Sequence, residues 1–455
     1  MAHQLAVLAT IAMAMGHQTF LPPPIVVHRY AAVSQSFHEN AYWLESADGL
    51  VLIDALLLKS DARLLAATMK ATGKPLKGIF LTHPHLDHFG GIRTIVSAFP
   101  GTPVYATQAT AEGVMPMHEQ ASKAPWVKAL GDNYDTAPYV PDTIVAPGAT
   151  LTLAGMRFTF HDVGAMEASN NTVIVCEDLK AAFTGDATVS NAPFYVGEGR
   201  SQKAIDVLAS LPAKLPGVGL AYSGHYEPAP LAATVEANLN AVRFYRDVVT
   251  MALATPAWRQ GNRLSQAGRD AAARLIADRF AGQPAYGLGQ LAIAQMNVAA
   301  LEAELRAAKV STDASPLQAG VQRLHFMLGR WPAASFWLGD GATRLEGIAK
   351  VRDNLFQYVL AYDAVQRRYR FSSIDSRSGL LDTYTGDFDD SGALVMTNVE
   401  SGTHYLANGT PVHNRLVMIP GAGGAWSWRV DSSNDRGVTW QLAKPFEFPA
   451  SGRQQ

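Results

Sequence analysis

Short apolar runs alternate with helical patches between residues 25 and about 230 of the chain. Near the start of this region, AYWLES and LVLIDALLL flank an Ala-Asp-Gly turn, which is the pattern of a β-hairpin. Further on, DARLLAATMKATG has helical spacing and ends on a glycine, while LKGIFLT and TPVYAT have the composition of short strands. This alternation of strands and helices predicts layered α/β structure.

From Pro230 to about Pro316 the sequence becomes rich in alanine and helical in pattern. Apolar residues recur at helical spacing along it, and AAARLIADRF and NVAALEAELRAAK continue the same pattern. No residue types typical of catalysis gather here. We interpret this region as helical packing or a lid beside the core.

From about Leu324 onward the pattern is that of β-strands again. Alternating segments such as LLDTYTGDF and AWSWRVDSS are separated by turn sequences at Asp389–Gly392 and Asn434–Gly437. Several such strands in succession predict a small antiparallel barrel, and the segment resembles the lipocalin-like barrels of bacterial proteins.

The N-terminal segment has features of a secretory signal. LAVLATIAMAMG, residues 5–16, is apolar but too short to span a bilayer, and Ala14-Met15-Gly16 has the small-x-small pattern of a cleavage site. Against export, no lysine or arginine precedes the apolar run. We predict a possible signal peptide and spacer over 1–24 and a periplasmic or secreted protein, with a cytoplasmic location as the alternative. No other segment approaches 18 uninterrupted apolar residues, so no membrane span is expected.

Composition narrows the class of protein. At 455 residues, the chain is long enough for two or three domains. Its net charge is −2 and no basic run stands out, which argues against a nucleic-acid partner. Cys176 is its one cysteine, which excludes an internal disulfide and a cysteine-rich zinc module; within NTVIVCE it reads as a buried strand thiol.

The stretch THPHLDH places three histidines and an aspartate within six positions, although the chain has only 13 histidines. On an extended backbone alternate side chains point the same way, so His83 and His85 can face one point. Asp87 and His88 follow where the chain turns towards the next helix, and can face a second point nearby. Imidazole and carboxylate are ligands for borderline metal ions, so this strand end is predicted to bind metal.

At these residues the sequence resembles the metallo-β-lactamase superfamily of metal-dependent hydrolases. Gly78–Gly91 matches the family hallmark, and Asn40 and the LVLID strand with Asp54 match its opening hairpin. The resemblance covers roughly residues 30–230. It implies an αβ/βα sandwich of two mixed sheets, with helices outside and the metal site at the edge where the strand ends converge.

The resemblance implies three further ligand positions. A metal-bridging aspartate is expected after a Thr-Gly-Asp pattern, which AAFTGDATVS supplies at Asp186, and a late histidine is supplied by His225 in GLAYSGHYEP. The usual Gly-His turn is missing, because Ala165 follows Gly164. Glu167 lies two residues further on, and the alkylsulfatase branch is similar in using a glutamate there. His161 is the rival ligand, and Glu167 could alternatively accept only a hydrogen bond from a ligand.

The function implied is a dinuclear hydrolase that cleaves an ester-, lactone- or thioester-type bond of a small molecule. One metal would be held by His83, His85 and Glu167 and the other by Asp87, His88 and His225, with Asp186 shared between them. The two divalent ions, zinc by default and otherwise iron or manganese, would deprotonate a bridging water for attack on the substrate. Asp87 would also orient that hydroxide or accept a proton.

Alternatives to this function remain open. Glu167 is similar to the alkylsulfatases, although their C-terminal domain differs from the barrel expected here, while Asp186 argues against a true β-lactamase. A metal-dependent oxidoreductase and a noncatalytic metal-binding protein of the same fold are the other two candidates. Phe194 and Tyr195 could line the pocket or simply pack, and His118 could reach the cleft or lie in solvent.

The predicted domain organisation has four parts. A catalytic domain occupies 25–230, behind the possible signal peptide and spacer. A helical extension follows over 231–318, and a β-rich C-terminal domain over 319–455.

Overall fold

The computed structural model of the protein describes residues 25–33, 36–308, 316–339, 343–351 and 353–452. The possible signal peptide over 1–24 lies outside these residues, so it stays a prediction. Within the described ranges, no helix combines the length and the apolar character needed to cross a membrane.

The first sheet has six strands, which lie side by side in chain order. Its first three strands are antiparallel, and β3 to β6 run parallel to one another. The hairpin, the helix after it and the strand before the histidine cluster are all present where the pattern predicts them. The elements are β1 (Val26–Ala31), β2 (Asn40–Glu45), β3 (Leu50–Ile53), α1 (Lys59–Ala71), β4 (Leu76–Phe80), α2 (Leu86–Phe89), α3 (Ile92–Ala98), β5 (Val104–Ala106), α4 (Gln108–Ala121), α5 (Pro125–Ala129) and β6 (Thr143–Ile144).

The second sheet also has six strands, in the order β12-β11-β10-β9-β8-β7. β10 and β11 are parallel, because α6 connects them as a crossover, and the other neighbours are antiparallel. The elements are β7 (Thr150–Leu153), β8 (Met156–Gly164), β9 (Asn171–Cys176), β10 (Ala181–Gly185), α6 (Ser201–Lys214), β11 (Leu220–Ser223) and β12 (Ala229–Pro230).

The two sheets pack face to face through an aromatic core. The Phe80 ring of the first sheet meets Phe158 and Phe160 of the second edge-on, with centroids 5.0 and 4.9 Å apart. Cys176 is buried in the same core, as predicted. A separate core lies between the outer face of the first sheet and its helices. The predicted αβ/βα sandwich is confirmed.

A helical region follows the sandwich. Its long helices are α7 (Leu231–Ala254), α8 (Gln266–Arg279) and α9 (Gln290–Ala307), with a hairpin of β13 (Arg259–Gln260) and β14 (Arg263–Leu264) between the first two and α10 (Pro316–Gln322) at the end. One hydrophobic core runs from the outer face of the second sheet through α6 and these helices into the C-terminal sheet. The helical character of this region is as predicted, while the domain boundaries stay predictions.

The C-terminal region is an eleven-stranded antiparallel sheet that curls into a nearly closed barrel. Phe336 of β16 contacts Trp426 of β24 with centroids 5.4 Å apart, and Trp331 of β15 lies 5.5 Å from Phe448 of β25, so the two ends of the sheet meet. The strands are β15 (Gly329–Trp331), β16 (Ala334–Leu338), β17 (Arg344–Val351), β18 (Asn354–Asp363), β19 (Arg368–Asp375), β20 (Leu381–Phe388), β21 (Leu394–Thr397), β22 (Tyr405–Ala407), β23 (Thr410–Pro420), β24 (Trp426–Ser433) and β25 (Phe446–Phe448). The predicted barrel-like domain is confirmed.

Candidate metal centre

The histidine cluster occupies the turn from β4 into α2. His83 and His88 are buried, and the side chain of His85 is 14% exposed. The turn packs closely on the segment after β3, because Gly90 and Gly91 follow it. A Cβ atom at Gly91 would lie 2.0 Å from the carbonyl oxygen of Ala55, so only glycine permits this approach. The Gly-Gly pair thus fixes where the cluster lies.

The remaining predicted ligands come from three loops at the same edge. Glu167 lies in the loop after β8, Asp186 directly follows β10, and His225 follows β11. Backbone hydrogen bonds join the two sheets here, since Thr172 N donates to Thr82 O at 2.8 Å and Asn40 N to Gly224 O at 2.6 Å. These hydrogen bonds bring strand ends of both sheets together, so that all seven predicted side chains converge.

One group of ligand-type atoms surrounds Glu167. It consists of His83, His85, Glu167 and Asp186, each with one atom within 4.8 Å of the others. Nδ1 of His85 is 3.3 Å from Oε1 of Glu167, and Nε2 of His83 is 3.9 Å from Oε2 of Glu167. Glu167 thus faces both histidines of this group.

A second group contains Asp87, His88 and His225. Oδ2 of Asp87 is 3.7 Å from Nε2 of His88 and 3.5 Å from Nε2 of His225. Asp186 lies between the two groups: its Oδ1 is 3.5 Å from Nε2 of His88, and its Oδ2 is 3.1 Å from Nε2 of His225 and 3.9 Å from Nε2 of His83. One carboxylate thus faces both groups.

Several atoms of the cluster are buried and have no hydrogen-bond partner within the described part of the chain. They are Nε2 of His83, Nε2 of His88, Oε2 of Glu167 and Oδ1 of Asp186. Buried polar atoms are normally paired, so four that face the same small volume need a common partner. A divalent cation fits, because neutral imidazole nitrogen and carboxylate oxygen are ligands of zinc, iron and manganese. The residues present therefore suit the two metal ions that the sequence predicts.

The histidines are also oriented by contacts of the ring nitrogen that points away from the cluster. Asp54, at φ +58°, accepts a hydrogen bond from Nδ1 of His88 at 2.9 Å and another from the Thr82 hydroxyl at 2.8 Å. That hydroxyl is also 2.9 Å from Nδ1 of His83, and Nδ1 of His225 donates to the carbonyl oxygen of Phe37 at 3.0 Å. Such contacts set the tautomer and orientation of metal-binding histidines.

Close contact shifts the pKa values of the cluster in opposite directions. Burial raises the pKa of Glu167 to about 7, against the lowering effect of the His85 imidazole. Burial by itself would lower the pKa of His225, but the carboxylates of Asp186 and Asp87 more than offset it and raise that pKa to about 10. Burial and the neighbouring His88 hold the pKa of His83 well below its usual value. Strong, opposed shifts within one cleft are typical of functional sites.

Two histidines that the sequence left open lie elsewhere. His161 is half-buried on β8; burial lowers its pKa, and the nearby charges that act on it are Glu177 and Lys214. Neither ligand group includes it. His118 is neither in the cleft nor in solvent, because it is buried on α4 with Nδ1 2.8 Å from the hydroxyl of Tyr134.

The aromatic residues Phe194 and Tyr195, which follow Asp186, lie in different surroundings. Phe194 is buried in the large core, whereas the Tyr195 phenol lies over Gly197, where an added Cβ would come within 2.2 Å of its oxygen. Burial and then the carboxylates of Glu167, Glu198 and Asp87 raise the pKa of Tyr195. Tyr195 therefore lies at the rim of the metal centre, and Phe194 packs.

Sequence reasoning missed Glu198. Its Oε1 is 2.9 Å from Nε2 of His85, on the side of the imidazole away from Glu167. A single acidic residue in the glycine-containing stretch VGEGR carries no spacing signal, so nothing in the sequence singles it out.

The fold and the cluster together define a two-sheet sandwich with a histidine- and carboxylate-lined site at one edge. Residues 36–225 match the family model described as the metallo-beta-lactamase superfamily. Over these residues the chain is similar to the metallo-beta-lactamase superfamily.

Similar proteins cover parts of the same region. A probable metallo-hydrolase of Streptococcus pyogenes is 31% identical over 109 residues, which are 24% of this chain and 40% of that protein. A hydroxyacylglutathione hydrolase of Methylobacillus flagellatus is 25% identical over 190 residues, or 42% of this chain and 63% of that protein. The chain thus spans less than two thirds of the length of either relative.

Among solved structures, a metallo-beta-lactamase family protein from Thermus thermophilus is 22% identical, with a TM-score of 0.45, covering 62% of this chain and 94% of that one. The likeness of Glu167 to the alkylsulfatase branch stays a prediction.

Proposed function

We propose that the protein is a dinuclear metal-dependent hydrolase that uses water to cleave an ester-, lactone- or thioester-type bond of a small molecule. The observation that carries the proposal is the position of Asp186, whose two carboxylate oxygens face the histidines of both ligand groups. A carboxylate between two sets of ligands is suited to bridge two cations. Relatives named hydroxyacylglutathione hydrolase support a thioester among the candidate bonds.

The chain offers a separate set of ligands for each cation. His83, His85 and Glu167 would hold one ion, Asp87, His88 and His225 the other, and Asp186 both. Zinc is the default, and a shell with three carboxylates also suits iron or manganese. Bound there, two divalent cations would supply a water that is deprotonated at neutral pH and a Lewis acid for the electrophilic oxygen.

Asp87 is the proposed catalytic residue among these side chains. Its side chain is 13% exposed, close to the 12% of Asp186 and the 14% of His85, whereas those of His88 and His225 are almost fully buried, so solvent can reach the Asp87 carboxylate. A carboxylate there can accept a hydrogen bond from the attacking water and take up its proton. Tyr195, whose pKa is raised by burial and by the nearby carboxylates of Glu167, Glu198 and Asp87, is the side chain that we propose contacts the bound substrate.

Glu167 favours a second candidate, hydrolysis of sulfate esters, because the alkylsulfatase branch is similar in using a glutamate at this position. A metal-dependent oxidoreductase and a noncatalytic metal-binding protein remain further alternatives. Iron accompanied by oxygen uptake would indicate the oxidoreductase. Bound metal without turnover of any substrate would indicate the binding protein.

The test combines metal quantification of the purified chain with a panel of chromogenic ester, lactone, thioester, phosphodiester and sulfate substrates. We expect two metal equivalents and turnover of a carbonyl substrate. In Asp87→Ala and His85→Ala we expect kcat/KM to fall by about 10²–10⁴-fold. Circular dichroism should show that both variants keep the wild-type fold. Normal rates in either variant would refute the assignment.

His161 provides the matched control for the unusual ligand. We expect Glu167→Ala to lose metal and activity, while His161→Ala keeps both, because His161 lies on β8 beside Glu177 and Lys214. The reverse result would return the ligand role to His161.

A further inference from the structure

The His85 imidazole is held between two carboxylates. Its Nδ1 faces Oε1 of Glu167 at 3.3 Å, and its Nε2 lies 2.9 Å from Oε1 of Glu198. The other carboxylate oxygen of Glu198 accepts a hydrogen bond from Nη1 of Arg200. Glu198 therefore lies behind the metal centre and touches only one of its ligands.

The contact between Glu198 and Nε2 of His85 bears on which nitrogen of His85 is free to bind metal. A neutral imidazole carries one N–H, and an ionised carboxylate only accepts hydrogen bonds. In the neutral ring, the contact with Glu198 favours the hydrogen on Nε2, which would leave the Nδ1 lone pair facing the centre. Partners of this kind commonly contribute about 10–100-fold to metal affinity.

The helical extension holds the loop that carries Glu198. Asn297, buried on α9, uses both halves of its amide on this loop. Its Oδ1 accepts from the backbone N–H of Val196 at 2.9 Å, and its Nδ2 donates to the carbonyl oxygen of Phe194 at 3.0 Å. These bonds fix the backbone on both sides of Tyr195, three residues before Glu198.

The same face of α9 also holds the backbone that follows Glu198. Glu304, two turns after Asn297, accepts hydrogen bonds from the backbone N–H groups of Ser201 and Gln202 at 2.8 and 3.0 Å. Between the anchors, Gly199 has φ +70°, and a Cβ there would lie 3.5 Å from the carbonyl oxygen of Ala300 on α9. The loop therefore runs along α9, with Glu198 between two fixed points.

From these contacts we propose that Glu198 and Asn297 are positioning residues of the metal centre. Asn297 fixes the loop, and the loop holds Glu198 against Nε2 of His85, so that Nδ1 is presented to the cation. The inference rests on the metal centre of the proposed function. It gives the helical extension a role in metal binding that the alanine-rich sequence does not indicate.

Asn238 offers a matched control for Asn297. It is also a buried asparagine on the extension, and it makes the same pair of bonds with one loop residue, accepting from Val189 N at 2.9 Å and donating to Val189 O at 2.8 Å. Val189 is nine residues before Glu198 and separated from it by the segment that Asn297 holds. Removing Asn238 costs a comparable pair of buried hydrogen bonds without releasing Glu198.

The first experiment measures Zn²⁺ affinity of the metal-depleted full-length chain by chelator competition, together with the absorption spectrum of the Co²⁺ form. We expect Glu198→Ala to weaken binding of one Zn²⁺ equivalent about 10–100-fold and to change the Co²⁺ spectrum. Glu198→Gln should stay within several-fold of wild type, because the amide oxygen can still accept the bond from Nε2. Wild-type affinity in Glu198→Ala, or equal losses in both variants, would overturn the inference.

The second experiment tests the link to α9. Asn297→Ala should weaken the same equivalent, Asn238→Ala should not, and adding Asn297→Ala to Glu198→Ala should cause no further loss. Additive losses, or equal effects of the two asparagine variants, would contradict the role of Asn297. If Asn297→Ala does not fold, the comparison of Glu198→Ala with Glu198→Gln tests the inference by itself, because Glu198 is partly exposed and its substitution should not prevent folding. A wild-type chain that binds no Zn²⁺ would instead refute the proposed function.

Discussion

Two regions of the molecule bury carboxylates, and they do so in opposite ways. In the C-terminal barrel, buried Asp382 accepts hydrogen bonds from the hydroxyl of Tyr384, from Asn398 Nδ2 at 3.1 Å and from the Thr403 hydroxyl at 2.6 Å. At the sandwich edge, Asp186 instead faces imidazoles, and its Oδ1 has no hydrogen-bond partner among the described residues.

Asp431 shows a further way in which the barrel neutralises a buried charge. It pairs with Arg415 at 2.8 Å and with Arg429 at 2.7 Å, and these guanidinium groups hold its pKa below the usual value, although burial raises it. Burial of acidic groups therefore does not define a site. A site is indicated where buried polar atoms lack partners and face one point.

The largest effect is expected for the shared carboxylate. Asp186→Asn should lower kcat/KM by about 10²–10⁴-fold and reduce the bound metal, because a neutral amide is a poor bridge between cations. Steady-state kinetics and metal quantification measure both. Asp382→Asn is the counterpart in the barrel and should keep full metal content. Equal metal loss in Asp186→Asn and Asp382→Asn would contradict the conclusion that only Asp186 belongs to a metal centre.

Gly224→Ala tests whether the space around Asp186 is needed. An added Cβ would lie 2.2 Å from Oδ1 of Asp186 and 2.6 Å from Cε1 of His88, so that the carboxylate has to move. We expect metal affinity to fall more than about 10-fold, as for loss of an orienting contact. Gly219→Ala is the matched control, since nothing lies within 4 Å of its Cβ position. Wild-type affinity in Gly224→Ala would argue against a centre that includes Asp186.

A substitution in the barrel is expected to change the stability of the protein and not its metal content. Asp431→Ala leaves two arginines without their partner and should destabilise the protein by about 3 kcal/mol at neutral pH, while metal content is unchanged. Since the folded-state pKa of Asp431 is lowered, its contribution is present above the unfolded-state value of about 3.9 and is lost as pH falls through the folded-state pKa. Urea unfolding at several pH values measures it. A difference that persists at the lowest pH would point to packing.

The smallest effect is expected at the rim of the metal centre. Gly197→Ala would push the Tyr195 phenol aside, because the new Cβ would lie 2.2 Å from its oxygen. We expect a change of a few-fold in KM, since Tyr195 is proposed to contact the substrate and makes no hydrogen bond to the candidate ligands. Lowered metal affinity would show that the rim and the centre are coupled.

The sequence predicts the candidate ligands but not the residues that orient them. His83, His85, Asp87 and His88 are recognisable because local spacing and a preceding apolar strand set their geometry. Asp186 and His225 are recognisable because each follows a strand and a glycine. Glu198 and Asn297 approach the site from distant parts of the chain through tertiary packing, which no local pattern encodes.

One signal for the helical anchors was nonetheless present in the sequence. Asn297 lies among Ile293, Ala294, Val298 and Leu301 on the buried stripe of α9. A polar amide in an apolar stripe needs hydrogen-bond partners inside the protein, so it predicts a buried contact without saying where. Asn238 on α7 occupies the same kind of position.

The single core that joins the second sheet, α6, the extension and the barrel has a practical consequence. A fragment cut at residue 230 would retain every candidate ligand but lose α7 and α9. The core on the outer face of its second sheet, which includes Val173 and Ala182, would then keep α6 but lose the other helices that pack into it. The loop bearing Glu198 would also lose its hydrogen bonds to Asn297 and Glu304. Designers who wish to transplant this centre onto another scaffold should carry those two helices with it.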